Sequence, residues 1–120
     1  MISYESFKKL EIKIGKIISA EKIPDTDKLL LLKVDFAEKA PRQIVSGIAP
    51  YFPDITNLVG VKCAFAANLE PRIIRGYESN GMILGVGGGL LRGDNRGDQI
   101  TSHFSLLKVD DNAKEGSFVK

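Results

Sequence analysis

Cysteine and histidine are almost missing from this chain: Cys63 and His103 are the sole representatives of their types among 120 residues. A single cysteine excludes an internal disulfide and a cysteine zinc cluster, and a single histidine in a polar stretch has no nucleophile or acid at defined spacing to serve. No catalytic set, metal site or cofactor is therefore expected. Excess charge of one sign is absent too, since 17 basic and 15 acidic side chains leave a formal net charge of +2. So mild a balance excludes binding to polyanions through overall charge and requires any such function to come from a local patch. Long apolar runs are lacking as well, whereas a membrane helix needs roughly 20 predominantly apolar residues. The opening MISYESFKKLEIKIGK is charged within its first residues, unlike a signal peptide or membrane anchor. The expectation is a soluble, cytoplasmic protein. Residues 85–93 are rich in glycine but lack the Gly-Lys-Ser/Thr ending of a phosphate-binding P-loop.

What is present suits one globular domain over residues 1–120, with 43% hydrophobic and 27% charged residues. Leu10, Ile12 and Ile14 alternate with Glu11 and Lys13, the period of a half-buried strand, and Ile17 and Ile18 continue it beyond Gly15, read here as a bulge or bend. After the turn at Pro24 to Asp27, Leu30, Leu32, Val34 and Phe36 form one face of a second strand. Residues 43–48 make a third. Pro50 and Pro53 exclude a central strand in the next segment. A short helix is expected there, with Pro53 near its first turn, Phe52, Ile55 and Leu58 or Val59 turned inward, and Gly60 as its stop. Residues 61–67 alternate again as a fourth strand, with Cys63 a small buried hydrophobe between Val61 and Phe65. Residues 82–86 form a short fifth. This order predicts an all-β fold, a five-stranded oligonucleotide-binding (OB) barrel with a short helix between strands three and four. After a polar loop over residues 92–105, two further short strands at 106–109 and 118–119 would form a C-terminal β extension.

Chemistry is concentrated in residues 68–86, NLEPRIIRGYESNGMILGV. Arg72 and Arg75 flank Ile73 and Ile74 on a segment stiffened by Pro71 and allowed to reverse at Gly76. Guanidinium groups there either hold phosphates or pair with Glu70 and Glu78. Asn68, Ser79 and Met82 add donors and a soft apolar contact, a set suited to RNA backbone and exposed bases. Each also has a plain alternative, Asn68 closing a turn and Met82 opening a core strand. Ser46 falls on the same barrel face in this topology, and Lys28 enters the second strand as a further phosphate contact. Asp25 and Asp27 are read as turn residues, not metal ligands.

The segments FKKLEIKIGKIISAE, DKLLLLKVD, RQIVSGI, LVGVKCAFAANLEPR and RGYESNGMIL, in this order and spacing, resemble the tRNA-binding domain of the type appended to methionyl-tRNA synthetases. Similar modules occur as free-standing tRNA-binding proteins and as CsaA-like chaperones. The resemblance implies an OB barrel that captures the outer corner of tRNA with little sequence preference and commonly acts as a homodimer. The tRNA contacts it implies are Lys28, Ser46, Asn68, Arg72, Arg75, Ser79 and Met82, with Lys33 and Arg42 as additional ones. Implied partners are tRNA and a methionyl-tRNA synthetase catalytic chain, and the alternative function is binding of unfolded polypeptide. Glu70, and either Ile73 or Ile74, stand where the family often carries basic residues, which implies a weaker grip, and Ile23 replaces a histidine often found ahead of the proline.

Overall fold

The first long strand organises the molecule because it pairs on both sides. In the computed structural model, which describes residues 1–88 and 103–120, β1 (Ile12–Lys22) pairs with β4 (Lys62–Ala66) through its first half and with β2 (Leu30–Asp35) through its second. β3 (Arg42–Ser46) adds to β2, and β7 (Met82–Ile83) adds to β4, giving the antiparallel order β3-β2-β1-β4-β7. The two outer strands approach each other, so the sheet curls into a nearly closed five-stranded barrel of the expected OB type.

The bend of β1 is taken by a bulge, and its place differs from the one expected. Pairing runs regularly through Gly15, opposite Cys63, and the register slips between Ile17 and Ser19. Ile18 is thus the extra residue, turned out at 42% exposure. Gly15 serves close packing instead: a Cβ there would lie 2.5 Å from Val34 Cγ1 and 2.8 Å from the Phe36 ring. Inside the barrel, Ile17, Leu30, Leu32, Val34, Ile44, Cys63 and Phe65 are buried, and Phe36 meets Phe65 edge to face at 5.3 Å. Burying each large apolar side chain contributes roughly 1.5–3 kcal/mol.

The expected helix between β3 and β4 is two short 3-10 turns, Ala49–Tyr51 and Ile55–Leu58. Pro53 divides them, since a residue before proline is pushed out of the helical region, and Phe52 there has φ −134° and ψ 78°. Asp54 then caps the second turn by accepting a hydrogen bond from the Thr56 amide at 3.1 Å. Leu58 is buried as expected, with Phe52 and Ile55 packed partly against the core, while Val59 is exposed.

Beyond the five barrel strands, β5 (Arg72–Ile74) and β6 (Tyr77–Ser79) form a hairpin. β8 (Gly85–Gly87) pairs with β9 (Phe104–Leu106). The expected strand at 106–109 is therefore displaced toward the N-terminus, and Lys108 and Phe118 make single bridges to Cys63 and Lys13. The tail still extends the sheet, as Ile14 donates to Ser117 O at 2.8 Å and Val119 to Ile12 O at 2.8 Å. Most of the expected polar loop, including Arg92 and Arg96, lies outside the described residues. A helix that no periodicity announced, α1 (Tyr4–Lys9), precedes β1, capped by Ser3 and burying none of its residues. Among the described residues, no helix is long and apolar enough to cross a membrane.

Burial pushes the Cys63 thiol up to about 12 from its ordinary 9.0. The neutral thiol is thus favoured by the native state, and its contribution to stability, complete below pH 9.0, is lost as pH rises toward 12. Iodoacetamide at pH 8 is expected to leave native Cys63 unmodified for as long as the chain stays folded and to label it once denaturant unfolds the barrel. Fast stoichiometric labelling of the native protein would contradict this core.

Candidate nucleic-acid interface

The β5–β6 hairpin turns on two residues. Ile74 pairs with Tyr77, and Arg75 and Gly76 between them have φ of 52° and 83°, the pattern of a type I′ turn. Glycine or asparagine adopts such angles readily and arginine does not. Alternation along β5 and β6 then puts Arg72, Ile74, Tyr77 and Ser79 on one face, with Ile73 and Glu78 paired on the other.

The first face is fastened to the barrel through β3. Ser79, only 5% exposed, accepts a hydrogen bond on Oγ from the Val45 amide at 2.9 Å and donates to Gly81 O at 3.2 Å. Gln43 donates from its side chain to Glu78 O at 3.0 Å, and its own carbonyl accepts from the Asn80 amide at 2.8 Å. The hairpin is thereby held against the edge of β3, where its backbone groups find partners.

Two clefts result. One, of about 70 Å³, is lined by Val45, Leu69, Glu70, Arg72, Ile74, Ser79, Gly81 and Met82. The other, of about 430 Å³, lies between the turn at Asp25, Thr26, Asp27, Lys28 and Leu29 and the hairpin tip at Arg75. Lys28 and Arg75, 47 residues apart in the numbering, therefore share one concave surface. Neither arginine of the hairpin pairs with Glu70 or Glu78: among the described residues Arg72, Arg75 and Lys28 have no ion-pair partner. Glu78 instead accepts from Asn80 Nδ2 at 3.3 Å.

The other expected site residues have local work. Asn68 Oδ1 accepts from the Glu11 amide at 2.7 Å and Nδ2 donates to Lys9 O at 2.6 Å, tying the start of the hairpin segment to the end of α1. Ser46 is buried at the end of β3 opposite Leu30, while Met82 stays half exposed on the rim of the smaller cleft. Lys33 donates to Gln43 Oε1 at 2.9 Å. Arg42 is paired with Glu38, whose carboxyl is held below its ordinary range by that hydrogen bond. Gln43 has a part that the sequence does not announce. It follows Arg42 at the polar start of RQIVS, which does not reveal a bond to a carbonyl 35 residues away.

Residues 12–117 match a family model described as "Putative tRNA binding domain". The chain belongs to this tRNA-binding domain family. Among curated relatives of this domain, the methionine--tRNA ligase of Lactococcus lactis is 36% identical over 119 residues, 98% of this chain and 16% of that protein. That of Methanoregula boonei is 53% identical over 88 residues, 72% of this chain and 13% of that protein. The tRNA-binding domain thus spans about a sixth or less of these relatives' length. Among solved structures, a MetRS-related protein from Pyrococcus horikoshii superposes with a TM-score of 0.80 at 32% identity, covering 100% of this chain and 98% of that one. The chaperone CsaA from Bacillus anthracis has a TM-score of 0.75 at 24% identity, covering 100% and 99%, and shares the fold.

Proposed function

We propose that this tRNA-binding domain grips the outer corner of tRNA with Lys28, Arg72 and Arg75, with little dependence on base sequence. The observation that carries the reading is that three cations distant in sequence line two neighbouring clefts. Lys33 and Arg42 are held by Gln43 and Glu38, and Lys62 by Glu115 at 3.3 Å, whereas Lys28 and Arg75 line the larger cleft beside Asp25 and Asp27, and Arg72 the smaller one beside Glu70, none of the three in an ion pair among the described residues. Arg75 supports it further. An arginine at positive φ costs of order 1 kcal/mol that glycine would avoid, and such strain clusters at functional positions.

Each phosphate neutralised releases roughly 0.7 to 0.9 of a counterion, so binding is steeply salt dependent. Contacts of this kind position the RNA without reading its sequence. Met82 and Leu69 offer apolar surface beside Arg72, while Ser79 and Ser46, both buried, shape the surface from beneath. Ile73 faces away from Arg72, so its missing charge costs the grip less than that of Glu70 and Ile74, which line the smaller cleft.

The domain binds and does not catalyse, and it acts in the cytoplasm. Working with a methionyl-tRNA synthetase catalytic chain, it raises the effective tRNA concentration near the active site. It does so as a homodimer. Tyr4, Phe7 and Leu10 of the N-terminal segment and Phe118 and Val119 of the tail line a groove of about 450 Å³ with Lys8, Glu11 and Lys120 beside them, and a second copy seated there covers these exposed apolar side chains.

Gel-shift titration with tRNA at several salt concentrations tests the grip. Arg72→Ala combined with Arg75→Ala is expected to weaken binding and to reduce the slope of log K against log salt by roughly 1.4 to 1.8, two phosphates' worth, with the fold intact. An unchanged slope would remove the hairpin from the interface. Light scattering tests the assembly: the wild-type protein is expected to be a dimer, and Phe7→Glu with Phe118→Glu a folded monomer. A wild-type monomer at every concentration would refute it.

A further inference from the structure

The hairpin segment leaves the barrel after Ala67 and returns at Asn80, and one side chain holds both ends. Arg42 Nη1 donates to Ala67 O and, at 3.4 Å, to Asn80 O. Its other face is fixed as well, with Nε donating to Glu38 Oε1 at 2.9 Å and Nη2 to Glu38 Oε2 at 2.7 Å. The guanidinium carbon lies 5.0 Å from the Phe36 ring centroid, which anchors it over the core. A guanidinium has five N–H donors, and four are occupied in this arrangement. The fork that would take a phosphate is already used. Lysine cannot replace it, because an ammonium lacks the planar geometry that reaches a carboxylate and two carbonyls together.

We propose that Arg42 is a positioning residue for tRNA binding: it staples the two ends of the hairpin segment and so aims Arg72 and Arg75, without itself contacting phosphate. The role rests on the reading of the hairpin as the RNA-gripping element. It separates two tasks that composition cannot distinguish, since an arginine that organises a basic surface and one that uses it carry the same charge. Distance in the fold supports the separation. Arg42 closes the base of the hairpin at Ala67 and Asn80, whereas Arg75 stands at its tip.

The test compares Arg42→Lys and Arg42→Gln in the full chain, each alone and combined with Arg72→Ala and Arg75→Ala, by tRNA titration across a salt series. Both single variants are expected to weaken binding by about three- to tenfold, the scale of one ordinary net hydrogen bond. Lysine, despite its charge, should not rescue. In the background lacking Arg72 and Arg75, neither is expected to weaken binding or lower the salt slope further, because the side chains they aim are gone. Hydrogen exchange is expected to show the Asn80 and Val45 amides losing protection in Arg42→Lys while the β1–β2 ladder keeps its own, which also certifies folding.

Wild-type-like binding by Arg42→Lys, or a further slope loss of roughly 0.7 to 0.9 in the double-alanine background, would make Arg42 a phosphate contact and overturn the positioning role. A salt slope that Arg72→Ala with Arg75→Ala leaves unchanged would instead overturn the hairpin reading, and the role of Arg42 with it.

Discussion

The proposed grip depends on the attachment of a short hairpin to the edge of β3. Six residues of strand joined by a two-residue turn cannot hold a fixed orientation alone, since isolated hairpins are marginal in water. The barrel supplies what is missing. Val45 and Gln43 bind Ser79, Glu78 and Asn80 through three hydrogen bonds, and Arg42 closes the segment at its base. Two arginines on a fixed platform lose less conformational freedom on meeting RNA than two on a mobile loop, which is the physical meaning of preorganisation here.

Barrel closure makes that edge available. β1 shifts register at Ile18 and turns from pairing with β4 to pairing with β2, bringing β3 round toward β6 and β7. The same turn carries the 25–29 loop, with Lys28, to face Arg75. Core packing and charge placement are therefore one problem. Gly15 illustrates it, since a side chain there would collide with Val34 and Phe36 and disturb the β1–β2 junction that orients the cations.

The strands are legible in the sequence because burial imposes a two-residue period: Leu30, Leu32 and Val34 are buried while Leu31, Lys33 and Asp35 are not. The unusual chemistry of residues 68–86 is legible for the opposite reason, as charges and glycines placed where a core face would not put them. Roles are harder to read than positions. Asn68 and Ser79 belong to the expected set, yet their polar atoms bond the α1–β1 junction and β3, partners 57 and 34 residues away in sequence. Arg42 and Arg72 look alike in sequence and differ in the fold, where Arg42 alone of the two pairs with Glu38 and bonds Ala67 O and Asn80 O. The short helix α1 leaves no signal because a single exposed turn and a half has no periodic face. The bulge sits at Ile18 and not at Gly15 because glycine can serve close packing as well as bending.

If the cations of the 25–29 loop and the hairpin, none of them in an ion pair among the described residues, are where tRNA sits, their own signals must respond to it. NMR titration of the isotope-labelled protein with unlabelled tRNA addresses this most directly, through the side-chain signals of arginine and lysine. The Arg72 and Arg75 Nε–H and Lys28 Nζ signals should shift together and saturate at one ratio, with Arg42 Nε–H nearly unmoved in its bond to Glu38. Shifts confined to the groove between α1 and the C-terminal tail, with the hairpin arginines silent, would contradict it.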